Sequence, residues 1–199
     1  MSASRNHIAR LAASLFFVVL VLAGTAAFAA PHRMADPGSN GNPGVLPPNS
    51  SAFGASYSEW SARWWQWAFS FRAASHPLRE TAGCDAGQSG HVWFLGGSFV
   101  NTTVVRDCTV PAGHAILFPV LNTECSTFEG PPFHGDNEAE LRACAAAVLN
   151  TGMFATIDGM EVQNLDSYRV QSPLYRFSSP DGGLFGVAVT DAQSISDGV

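Results

Sequence analysis

A single small α+β domain, mostly antiparallel and β-sandwich-like, is the fold class that this sequence predicts. Three observations predict it. A tryptophan-rich stretch near residue 60 has the apolar period of a helix, and an alanine-rich stretch at 137–149 reads as a second one. Around them lie many short runs rich in Val, Ile, Thr and aromatic residues, separated by Gly and Pro turns. A sandwich decorated by helices accommodates this mixture, with the aromatic helix covering a sheet face or closing one end.

The chain opens with the three parts of a signal peptide. Arg5, His7 and Arg10 make a basic head, and residues 11–24 (LAASLFFVVLVLAG) are an apolar run too short for a comfortable membrane span. Ala27 and Ala29 fill the two small-residue slots of a cut after Ala29, so residues 1–29 are expected to be removed during export. No membrane span is then expected, and the address is periplasmic or extracellular. Removing Arg5 and Arg10 leaves 8 basic against 16 acidic residues, a formal charge of −8 in place of −6. That sign repels nucleic acid and anionic lipid, so neither is an expected partner.

Residues 30–55 are rich in Pro, Gly, Ser and Asn, with little to bury, and are expected to be a flexible linker. Residues 56–199 form the domain. Ser56 and Glu59 make an S-x-x-E capping box, and Tyr57, Trp60, Trp64, Trp67 and Phe71 follow at helical steps. The helix should end before His76-Pro77, because proline disfavours helix in the residue before it. Strands are then expected at 91–95 (HVWFL), 99–106 (FVNTTVVR) and 115–121 (AILFPVL), with Gly96-Gly97-Ser98 turning the first onto the second. Pro119 demotes the far end of the third. Asp158-Gly159 between 153–157 and 160–162 is the strongest hairpin signal, since both residues tolerate a type I′ turn. Further strands are expected at 168–171, 174–177 and 184–190. Asp197-Gly198-Val199 reads as a turn and the start of another strand, as if the sequence were cut short at its C-terminus.

Cys84, Cys108, Cys125 and Cys144 all follow the leader, and an even number in an oxidising compartment reads as disulfides. Of three pairings, Cys84–Cys108 with Cys125–Cys144 is favoured; each closes a loop of roughly 20–25 residues, worth about 3 kcal/mol. No gap is short enough for a CxxC metal site.

Four segments carry a resemblance: YSEWSARWWQW (57–67), GQSGHVWFL (87–95), CTVPAGHAILFPVLN (108–122) and YRVQSPLYRF (168–177). In these the chain resembles an uncharacterised family of exported bacterial and archaeal proteins. The resemblance implies no activity and supplies no catalytic residues, but family members continue for another strand or two.

Chemistry has few footholds. Among the tryptophans, Trp65 lies on the flank of the helical stripe, where an exposed indole could stack on a carbohydrate; Trp60, Trp64 and Trp67 read as core. His91, His114 and His134 with Glu124, Glu129 and Asp136 are the polar candidates, without HxH, HExxH or EF-hand spacing, so no metal or cofactor is implied. The segment Asn122–Asp136 is read as a loop between strand and helix that gathers four of them, a common place for a site. The function expected is a non-catalytic structural or ligand-binding module, for a small molecule or carbohydrate. The alternative is a secreted hydrolase using His91, His114 and the Asn122–Asp136 loop.

Overall fold

The structure, a computed structural model, describes residues 41–42, 44–100, 102–148 and 152–199. The leader expected at 1–29 lies outside the described residues. In chain order the elements are β1 (Ser51–Ala52), β2 (Ala55–Ser56), α1 (Tyr57–Phe69), β3 (Val92–Phe94), β4 (Ala115–Leu117), β5 (Asn122–Ser126) and α2 (Glu138–Ala146). Then come β6 (Thr156–Ile157), β7 (Met160–Glu161), β8 (Val170–Gln171), β9 (Tyr175–Ser179) and β10 (Val189–Gly198).

The longest strand, β10, organises the rest. β5 runs antiparallel along one edge, with Ser194 opposite Ser126 and Gly198 opposite Asn122. β9 and β8 share the other edge, also antiparallel. Side chains alternate across a strand, and here the alternation separates two cores. Ala192 packs with Tyr175 and Phe177 against α1. Ile195 packs with Cys125 and Leu174 against Leu141 and Ala145 of α2. The mixed α+β class is as expected, with a four-stranded antiparallel sheet. Among the described residues, however, no second sheet faces this one. The two places a sandwich partner would take are held by α1 and α2.

Both helices start as their sequences direct. Ser56 Oγ accepts from the Glu59 amide while Glu59 Oε2 accepts from the Ser56 amide, the reciprocal box expected there. Trp64, Trp67 and Phe69 are buried, and Phe69 stacks 4.3 Å from Phe177 across the helix–sheet contact. A buried side chain of this size contributes about 2–3 kcal/mol. The helix stops at Phe69, earlier than expected, and a 3₁₀ turn at Ala73–Ser75 carries the chain to Pro77. Asn137 caps α2 by accepting from the Glu140 amide. The cysteines are paired as expected, Cys84–Cys108 and Cys125–Cys144, and the second ties β5 to α2.

The β6–β7 hairpin turns through Asp158 and Gly159, both with positive φ (53° and 77°), as a type I′ turn requires. Other expectations fail for identifiable reasons. The hairpin expected from 91–95 onto 99–106 does not form; β3 pairs in parallel with β4 instead. The carbonyls that such a hairpin would use are taken by side chains, Leu95 O by Trp64 Nε1 and Gly96 O by Arg106. Asn122–Ser126, read as loop, is a strand, and Asp197-Gly198, read as a turn, is the end of β10. Residues 184–188 are not strand, and a 3₁₀ turn at Leu165–Tyr168 precedes β8. Part of the expected linker is built into the domain: β1 and β2 form a hairpin, and Asn42 bonds to both the amide and carbonyl of Gln163.

Candidate functional site

The sheet face beneath α1 carries a polar strip. Asn122, Glu124 and Ser126 of β5 and Ser194 and Ser196 of β10 all point that way, by strand alternation. Asn122 Nδ2 donates to Ser61 Oγ of α1 (3.2 Å), which lies 2.9 Å from Ser196 Oγ. Further along, Ser194 Oγ meets Glu124 Oε1, and it lies 2.9 Å from the Tyr175 hydroxyl. Glu124 is hydrogen-bonded in turn to Glu129, whose Oε2 accepts from Ser126 Oγ at 2.9 Å.

Glu124 is 6 % exposed. Burial, then the hydrogen bond and charge of Glu129, push its carboxyl up to about 10, against a smaller opposing effect of Ser194. The two carboxyls therefore hold a proton between them at neutral pH. Burial and the neighbouring Glu124 raise the Tyr175 phenol well above its ordinary value.

At the Asn122 end the strip meets a cavity of about 500 Å³. α1 supplies Tyr57, Trp60, Ser61 and Trp64 to its wall; β3, β4 and the turn after β4 close the opposite side. The hairpins β1–β2 and β6–β7 complete it. None of the described residues lining it is Asp, Glu, Lys or Arg. Its polar groups are mostly engaged. The Tyr57 hydroxyl donates to Leu46 O at 3.0 Å, and burial pushes this phenol up to about 12. Trp60 Nε1 donates to Ala52 O and Trp64 Nε1 to Leu95 O, both at 2.9 Å. Large apolar side chains at the wall remain open to solvent: Ile116 is 49 % exposed and Phe118 42 %, with Leu46 and Phe53 similar.

The residues singled out in the sequence fall into separate places. Buried Glu124 pairs with half-buried Glu129, and His134 pairs with Asp136 at 3.0 Å, which raises the imidazole above its ordinary range. The 122–136 segment thus gathers its four polar candidates into two adjacent pairs. His91 is on the surface, stacked 5.7 Å from Phe53, and His114 is at the cavity wall, edge-on to Trp93. Neither belongs to either pair. Trp65 is in the core rather than on an open flank, wedged between Trp64 and Phe69 at 5.1 Å from each. Its face is closed to a sugar; Trp60, half-buried at the cavity, is the indole that a ligand can reach. Among the described residues no three His, Cys, Asp or Glu are placed to hold a metal ion.

Ser194 and Tyr175, which complete the cluster around Glu124, and Ser61 and Ile116 at the cavity went unread in the sequence as site residues. Ile116 and Phe118 left one available signal, a continuous apolar run, AILF, just before Pro119. Chemically, the Glu124–Glu129 pair can exchange a proton internally, but neither Glu124 nor Ser194 lines the cavity, so no substrate there reaches them.

No helix among the described residues is long and apolar enough to cross a membrane. Comparison of the chain with family models, curated proteins and solved structures found no match in any of the three.

Proposed function

We propose that this protein is a non-catalytic binding module, exported to an oxidising compartment, that takes a small apolar molecule into the cavity beneath α1. The observation that carries the proposal is the combination found there: about 500 Å³ of space, no Asp, Glu, Lys or Arg among the described lining residues, and large apolar side chains left open to solvent beside it. Ligand cavities have this size and character, and exposed apolar surface gathered around a concavity usually serves binding. Export is supported by the leader-like first 29 residues and by two cysteine pairs at bonding distance.

The rival, a hydrolase using His91, His114 and the 122–136 segment, lacks a meeting point for its residues. Glu124 is buried away from the cavity, and the histidines serve different surfaces.

Fluorescence titration with N-phenyl-1-naphthylamine, an uncharged apolar probe, tests binding. Saturable enhancement is expected, and Ile116→Asp should weaken it at least tenfold, because a carboxylate would have to be desolvated at the wall. Ile116 is half exposed, so the folded domain tolerates this change. Absence of saturation, or equal binding by the variant, contradicts the proposal.

A further inference from the structure

We infer that the ligand is an amphiphile with a single anionic head group, its apolar body in the larger cavity and its head paired with Arg106. The inference rests on ligand binding in that cavity and adds the chemical class of the ligand.

A second, smaller cavity of about 230 Å³ adjoins the first; the two share Leu95, Phe118 and Pro119. The dividing side chain Phe118 is 42 % exposed and so is not fixed by packing on all sides. Arg106 lines the smaller cavity and is the one charged residue to do so among the described residues.

Its electrostatic situation differs from that of every other described arginine. Arg142, Arg169 and Arg176 each pair with a carboxylate. Arg63, Arg72 and Arg79 have no such pair and are exposed, Arg63 lying over the Trp60 ring at 4.5 Å from its centroid. Arg106 is half-buried and also lacks a carboxylate partner among the described residues. Two of its N–H groups go to main-chain carbonyls, Gly96 O at 3.1 Å and Arg79 O at 2.7 Å, and its buried Nε–H has no partner.

Those carbonyls hold the guanidinium in place without neutralising it. A positioned, partly desolvated guanidinium with donors to spare is the usual receptor for a carboxylate or phosphate. Among the described residues neither cavity is lined by an Asp or Glu side chain, so an anion would enter without meeting one. A mostly apolar chamber that shares three lining residues with the cavity of a half-buried, unpaired guanidinium matches a molecule with the same division.

Displacement of N-phenyl-1-naphthylamine by dodecanoate and by dodecanol, compared on the same protein, tests the inference. The carboxylate should displace the probe at roughly tenfold lower concentration or better than the alcohol, the value of one charge-assisted contact. In Arg106→Gln that preference should fall below about threefold. Arg106 also holds two carbonyls, so Gln could perturb the fold; a wild-type arm avoids this. Lowering the pH beneath the fatty acid's own pKa should abolish the preference without any substitution. Equal displacement by the two ligands at neutral pH, or a preference that survives both Arg106→Gln and acid, overturns the inference and leaves apolar binding standing. Displacement by neither ligand, with no probe binding to begin with, instead removes the binding function itself.

Discussion

Glu124 concentrates the electrostatic tension of the molecule in one side chain. Its carboxyl is pushed up to about 10 in the fold, against an ordinary value of 4.5. A folded pKa above the unfolded one means that the native state holds the extra proton between those values. The associated stability is fully present below about pH 4.5 and is lost as pH rises towards 10. Chemical denaturation of the wild type between pH 5 and 9 should therefore show falling stability, by at most about 1.4 kcal/mol per pH unit from this group. Glu124→Gln supplies an uncharged side chain of the same shape, whose amide can still donate to Glu129. It should flatten the profile and be the more stable protein at pH 9. Parallel profiles for the two proteins would mean that Glu124 is not held protonated.

Among the elements, β5 and β10 explain most of what the sequence hid. Each puts serine, asparagine or glutamate on the face that meets α1, where an apolar residue is the usual occupant. Hydrophobic periodicity therefore reads them as loop and turn, because the burial of their polar groups depends on partners many residues away, such as Ser61 for Ser196. The helices, the β6–β7 turn and the cysteine pairs were legible because their signals are local: a capping box, an Asp-Gly pair, and loop lengths that two disulfides can close. The cavity was not, since its wall draws on segments from Gly44 to Val199.

Two predictions belong to this scale. Ser56→Ala removes the α1 cap and should cost about 1 kcal/mol in denaturant unfolding. Replacing Cys125 and Cys144 together by Ala should cost about 3 kcal/mol, from the lost constraint on the unfolded chain. In that second variant, hydrogen exchange should quicken first in α2, whose core contacts are Leu141 and Ala145. If protection were lost first in α1, the assignment of two cores to the two sheet faces would be wrong.

For the whole molecule, the sheet divides labour. The α2 side is small, apolar and tied by Cys125–Cys144, and serves to hold β5 and β10. On the α1 side, aromatic packing at one end gives way to a polar strip and then to an open cavity, so the same helix that builds the core also walls that cavity. The tryptophan-rich stretch thus has two jobs: Trp64 reaches both, Trp65 and Phe69 are core, and Trp60 faces the cavity.

The most direct measurement is a crystal of the protein soaked with bromonaphthalene, whose bromine can be located by anomalous scattering. Binding beneath α1 requires an anomalous peak within van der Waals reach of Trp60, Ile116 and Phe118. A protein that takes up the compound with its peak elsewhere, leaving that cavity filled only with water, would contradict the assignment.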